Sequence, residues 1–170
     1  MTGSHPELTI PACVITVSDR CWRGEAEDLS GPLAARLLAD YGIDARLLLV
    51  PDELEAIQEA IASASKEGAR LVFTTGGTGL APRDVTPEAT EALLSTRIHG
   101  LEDAMRRAGE GHAPAAALSR GLVGVTSRDP GGVLVVNAPG SSGGVKDAVG
   151  VIGPLVAHIL DQLAGGDHPR

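Results

Sequence analysis

Residues 70–79 read RLVFTTGGTG, a short apolar run that ends in two threonines and breaks into a glycine turn. An apolar, β-branched run of this length, bounded by glycine, has the pattern of a buried strand. Three glycines and three threonines in residues 74–79 let the main chain turn tightly and approach a ligand closely. Successive N–H groups in such a turn can form an anion nest, with the threonine hydroxyls as further donors. The alternative reading is a strand-to-loop turn without a ligand. No Gly-Lys-Ser/Thr follows, so this is no Walker loop, and the GxGxxG spacing of a dinucleotide fingerprint is missing.

Upstream of this segment, strand and helix patterns alternate. Residues 12–17 (ACVITV) and 45–50 (ARLLLV) read as two more strands. Residues 30–41 have helical spacing, with Leu33, Leu37, Leu38 and Tyr41 on one face, Ser30 as N-cap and Gly42 as C-cap. A second helix opens at Asp52, with Glu55 three residues on, and ends at Gly68. A β-α-β-α-β order implies right-handed crossovers onto one sheet.

Downstream, Thr86-Pro87 predicts the N-cap and first turn of a helix through Leu94. Further helical stretches are expected at 99–108 and 113–119, and strands at 122–126 and 133–137. The SRDPGG turn between those strands suggests a hairpin and therefore a mixed sheet. A final helix over 142–164 is expected to kink or divide at Gly153-Pro154. One domain is expected over 1–170, with 1–8 and 166–170 as tails.

Composition narrows the function. Lys and Arg number 14 against 22 Asp and Glu, a net charge of −8, and no basic run occurs. Duplex nucleic acid and anionic membranes are not the expected partners. Residues 1–8 show no apolar signal core and no 18-residue apolar span is expected, so the cytoplasm is the default location. Cys13 and Cys21 have no metal-ligand spacing, and neither do the five histidines. No nucleophile–base constellation stands out, which favours a reaction that needs positioning and charge neutralisation, such as phosphoryl or nucleotidyl transfer.

Ligands of open α/β sheets bind beyond the carboxyl ends of strands. Four such ends carry polar or glycine chemistry: Ser18-Asp19-Arg20, Pro51-Asp52-Glu53, Thr74–Gly79, and Asn137-Ala138-Pro139-Gly140. Arg83 offers a forked phosphate donor and Asp84 a hard oxygen for Mg²⁺. Asp84 also suits a helix N-terminal charge, Asp52 an N-cap, and Ser30 a cap after Asp28.

These segments together resemble the MogA/MoaB family of molybdenum-cofactor biosynthesis proteins. The matching pieces are ITVSDR (15–20), DLSGP (28–32), VPDE (50–53), TTGGTG (74–79), PRDVTPEAT (82–90), LSRG (118–121) and NAPG (137–140), in family order. The resemblance implies a three-layer α/β/α sandwich with a mostly parallel, mixed sheet, and a homotrimer. For the MogA type it implies Mg²⁺-dependent transfer of AMP from ATP to molybdopterin with release of pyrophosphate. Handover to a molybdenum-insertion protein and a non-catalytic, MoaB-type pterin binder are related readings. The resemblance assigns Asp52 and Asp84 as the essential acidic positions, and the repulsion between two anionic substrates makes them the candidate Mg²⁺ ligands. It matches Thr75, Gly76, Gly77, Thr78, Gly79, Pro139, Gly140 and Ser141 to ligand-binding segments and Ser18, Asp19, Asp28, Thr86 and Glu88 to positions lining the site, and Ser30, Gly31, Arg83 and Asn137 join them as candidate substrate- and phosphate-binding residues. Ser142 stands where the family usually has a second proline.

Overall fold

The computed structural model describes residues 9–166. The expected tails therefore lie outside the described residues, apart from Gly166. Six strands form one sheet: β1 (Ile10–Val17), β2 (Ile43–Val50), β3 (Leu71–Thr75), β4 (Thr96–Arg97), β5 (Val123–Val125) and β6 (Leu134–Ala138). Their order across the sheet is β2-β1-β3-β6-β5-β4. The first four are parallel neighbours, β5 is antiparallel to β6, and β4 is antiparallel to β5. The SRDPGG segment is the hairpin turn the sequence predicts, and the sheet is mixed as expected.

Helices cover both faces, because nearly every residue of the central strands is buried and each face needs a partner. Helices α2 (Ser30–Ala39), α5 (His99–Glu110), α6 (Ser142–Ile152) and α7 (Val156–Leu163) pack one face with Val14, Phe73, Leu134 and Val136. Helices α3 (Leu54–Lys66) and α4 (Thr86–Glu91) pack the other with Cys13, Ile15, Val72 and Val135. The result is a three-layer α/β/α fold. Phe73 is the only aromatic side chain fully inside, so aliphatic packing carries the core.

Several local expectations change. Ser18 caps a short helix α1 (Asp19–Trp22), accepting from Cys21 N–H at 3.2 Å, where the sequence suggests a polar loop. Helix α4 ends at Glu91 rather than Leu94. Residues Pro114–Leu118 form a 3-10 turn. The two-residue edge strand β4 had no sequence signal, because its pairing to β5 is a tertiary event.

Gly153–Leu155 forms a 3-10 turn that divides the last helix, as Gly153-Pro154 predicts. Contrary to the expectation of no apolar span, Ser142–Leu163 is long and apolar enough to cross a membrane by length and composition. Here it covers the sheet, burying Val145, Ala148, Val149, Ile152 and Val156 in the core. A core-covering helix pair and a membrane span share this composition because both bury apolar surface.

Candidate functional site

Parallel strands β1, β2, β3 and β6 all end on one edge of the layer, and their following loops meet there. The glycine turn sits at the centre. Gly76 and Gly77 have φ values of +97° and +67°, which other residues rarely adopt. A side chain at Gly76 would strike the Val17 carbonyl oxygen, and one at Gly77 would strike the Thr86 hydroxyl. Gly76 N–H is bonded to Ala138 O at 3.0 Å. Among the described residues the N–H groups of Gly77, Thr78 and Gly79 have no hydrogen-bond partner, as an anion nest requires.

Both acidic positions flank this turn. The Asp52 Oδ1 atom lies 3.2 Å from where a Gly77 Cβ would stand, and Asp84 Oδ2 lies 2.8 Å from the same point on Gly79. Asp52 is not a helix cap. Glu53 occupies the N-cap position of α3 without a side-chain bond. The Asp52 carboxylate instead accepts the Asp19 N–H at 2.9 Å, while Asp19 accepts the Asp52 N–H at 3.0 Å. This reciprocal pair ties the ends of β1 and β2 together, and contact between strands took the carboxylate that spacing gave to the cap. Asp84 lies before α4 and accepts from Ala81 N–H at 3.1 Å, closing the turn that carries it.

Charge is unevenly compensated. Arg83 grips Asp19 with two bonds of 2.6 and 2.9 Å, and that hydrogen bonding holds the Asp19 carboxyl below its usual range. Arg83 is thus engaged with Asp19 in this structure instead of standing free. Burial pushes Asp52 up. The Asp19 N–H bond opposes this, and the negative charges of Asp19 and Asp84 add to it.

Two clefts adjoin the turn. One, of about 380 Å³, is lined by the hydroxyl residues Thr16, Ser18, Ser30, Thr75 and Ser141 and by two acidic residues, Glu27 and Asp28. The other, of about 450 Å³, is more apolar and runs between Gly76–Gly79 and Asp84 on one side and Ala116, Pro139 and Gly144 on the other. Gly140 and Ser141 line both, and Gly76 Cα lies 3.3 Å from the position of a Gly140 Cβ. The clefts therefore meet at a ridge of two glycines.

Some expected site residues serve as scaffold. Ser30 is the first residue of α2 and Leu29 its N-cap; the Asp28 carboxylate before it accepts from Gly31 N–H at 3.0 Å and from the Thr16 hydroxyl at 2.7 Å. Ser30 bonds to Thr75 at 2.6 Å, and Gly31 leaves no room for a side chain beside Asp28. Thr86 is the first residue of α4, not its cap, and donates to Gly76 O at 3.0 Å from full burial. Asn137 is wholly buried behind the site. It donates to Thr74 and Thr90 and accepts from Leu122 N–H, so all its polar atoms are used internally. Glu88 pairs with Arg120, whose hydrogen bond holds it below the usual carboxyl range, and it lines neither cleft. Asp52 and Asp19 also line neither. Sequence reasoning passed over Arg120 and Ser119. Their only signal was membership of the LSRG piece.

Residues 13–158 match the family model described as probable molybdopterin binding domain. The chain belongs to this molybdopterin-binding family. Within it, the chain is 32% identical over 161 residues to the molybdopterin adenylyltransferase of Helicobacter pylori, covering 92% of this chain and 89% of that one. It is 41% identical over 158 residues to the molybdenum cofactor biosynthesis bifunctional protein of Synechococcus elongatus, covering 92% of this chain. It spans between 22% and 50% of the length of the longer family members it matches. The crystal structure of the molybdopterin biosynthesis enzyme MoaB from Thermus thermophilus superposes with a TM-score of 0.82 at 39% identity, covering 92% of this chain and 98% of that one. The MogA/MoaB resemblance and the three-layer fold it implies are thus both established.

Proposed function

We propose that this protein acts in molybdenum-cofactor synthesis as a molybdopterin adenylyltransferase, moving AMP from ATP to the terminal phosphate of molybdopterin. The carrying observation is that Asp52 and Asp84 flank a glycine turn whose Gly77–Gly79 N–H groups have no partner, with that turn and Asp84 lining the larger of the two clefts. The Helicobacter pylori relative bears that activity in its name.

A phosphate oxygen of the pterin attacks the α-phosphorus of ATP. The new P–O bond forms as the bond to the bridging oxygen breaks, and its electron pair leaves with pyrophosphate. The nucleophile is anionic at neutral pH, so no strong general base is needed. The obstacle is repulsion between two anions. The glycine-turn N–H groups meet phosphate oxygens with preorganised dipoles that need no rearrangement during reaction. The glycine turn and Asp84 line the more apolar cleft, whose wall of Ala113, Ala116 and Leu118 suits a flat heterocycle, and the hydroxyls of the other cleft are further hydrogen-bonding groups for a substrate.

The donor set fits Mg²⁺. Among the described residues no group of three or more His, Cys, Asp or Glu is placed to hold a metal ion. Mg²⁺ is commonly held by one or two carboxylates together with substrate phosphates. Asp84 and Asp52 would supply those carboxylates, and the negative charges of Asp19 and Asp84 beside Asp52 favour a cation there. Bound there, Mg²⁺ would neutralise phosphate charge in the transition state.

The same reading carries a homotrimer, a cytoplasmic location and delivery of the adenylated pterin to a molybdenum-insertion protein. The longer bifunctional relatives support the last of these. The test is to incubate the protein with molybdopterin, ATP and Mg²⁺ and follow the pterin by mass. A gain of one AMP with pyrophosphate release is expected, lowered about 10²-fold or more in Asp84→Ala by analogy with loss of one electrostatic donor. Tight pterin binding without AMP transfer would instead identify a silent binder.

A further inference from the structure

Arg120 lies between the 3-10 turn and β5, and nothing in the chemistry above uses it. Its backbone N–H donates to Thr78 O at 2.9 Å. Its guanidinium donates from Nε to Gly79 O at 2.9 Å and from Nη2 to Asp84 O at 2.8 Å, and Nη1 meets the Glu88 carboxylate. One side chain thus holds both ends of the Gly79–Asp84 turn and the first turn of α4. The neighbouring Ser119 hydroxyl reaches Thr78 Oγ1 at 3.4 Å.

The segment so held is built without rigid secondary structure of its own. Within it Asp84 N–H bonds to Ala81 O at 2.9 Å and Ala81 N–H to Asp84 Oδ2 at 3.1 Å. Leu80 at its tip is 69% exposed, so core burial does not fix the turn. A planar fork with several donors suits this bracket, whereas an ammonium group is a single point. Arg120 lines neither cleft.

We propose that Arg120 is a positioning residue that aims the Asp84 carboxylate at the glycine turn by clamping the carbonyls at both ends of the segment that carries it. It touches no substrate and acts only through Asp84. The catalytic part of this inference rests on the adenylyl-transfer reading, and the structural part does not.

Two measurements test it, and they fail separately. The first is hydrogen exchange on the ligand-free protein. In Arg120→Gln the amides of Ala81 and Asp84 should exchange about tenfold faster than in the unaltered chain, and Arg120→Lys should restore only part of the protection. Amides of β1 and β3 should be unchanged. Unchanged exchange at Ala81 and Asp84 would overturn the clamp, and loss of protection throughout the sheet would show a global role instead.

The second measurement is AMP transfer. Arg120→Gln should lower kcat by about 10²-fold, the order expected when a reacting group is displaced by an ångström, while the KM for molybdopterin changes by less than about threefold. In an Asp84→Asn background the same substitution should cost almost nothing further. A full additional loss in that background, or normal kcat in Arg120→Gln, overturns the proposal. No transfer by the unaltered protein overturns the reading of function and leaves the exchange result to decide the clamp.

Discussion

Two clusters of charged side chains stand at opposite edges of the sheet, and they treat their carboxylates in opposite ways. Near β4, Glu102 is 2% exposed yet fully answered. Arg97 donates to it twice, at 3.0 and 2.9 Å, and Val123 N–H donates at 3.2 Å. Burial alone would raise Glu102, but these bonds, with the charges of Arg97 and His99, outweigh it and leave the carboxyl below its usual range. Past β1 and β2, Asp52 is less buried and yet is pushed up, because its one N–H bond, with the charge of Arg83, does not offset burial, and the charges of Asp19 and Asp84 add to the rise. A buried charge with complete partners locks a scaffold. A charge left short of partners costs stability and is kept where a cationic or anionic ligand completes the set.

The contrast breaks most severely if Glu102 proves dispensable. Glu102→Ala strands the Val123 N–H and removes the main partner of Arg97, and should cost roughly 3 kcal/mol in urea unfolding. Asp52→Asn should do the reverse. It keeps an oxygen for the Asp19 N–H and removes a disfavoured charge, so stability should hold or rise slightly. AMP transfer should fall about 10²-fold, equal to about 2.7 kcal/mol of barrier. A large loss of stability in that variant would place Asp52 in the scaffold.

The pH dependence sharpens the same comparison. Glu102 is lowered from its ordinary 4.5, so its stabilising contribution is complete above that value and fades as pH falls through the lower folded value. Asp52 is raised from 3.8, so between 3.8 and its folded value it adds stability as pH falls. Urea midpoints measured below pH 4.5 should therefore flatten in Glu102→Gln and steepen in Asp52→Asn. The smallest effect is expected at Arg83. Its pair with Asp19 is 61% exposed on the arginine side, so Arg83→Ala should lower the urea midpoint only slightly, and less at high salt.

Legibility in the sequence followed interaction range. The β1-β2-β3 strands, the β5–β6 hairpin and the break at Gly153-Pro154 rest on periodicity and turn chemistry within a few residues. Asp52 and Ser30 looked like caps because capping is also local. Asp52 was claimed by the end of a neighbouring strand, and Ser30 by Thr75. Asn137 drew notice as a strand-end polar residue, but its three partners come from three separate parts of the chain and hold it inside.

The order of strand and helix patterns and the glycine-rich turn after the third strand were enough to determine a layered α/β protein with a phosphate-competent edge, since both follow from side-chain period and backbone freedom near in sequence. Which carboxylates face that edge, which are spent on neighbours, and how Arg120 comes to bracket a turn more than 35 residues earlier were decided only by the packed structure. Hydrogen bonds between distant segments depend on where the sheet brings them, and that geometry is set by the whole chain at once.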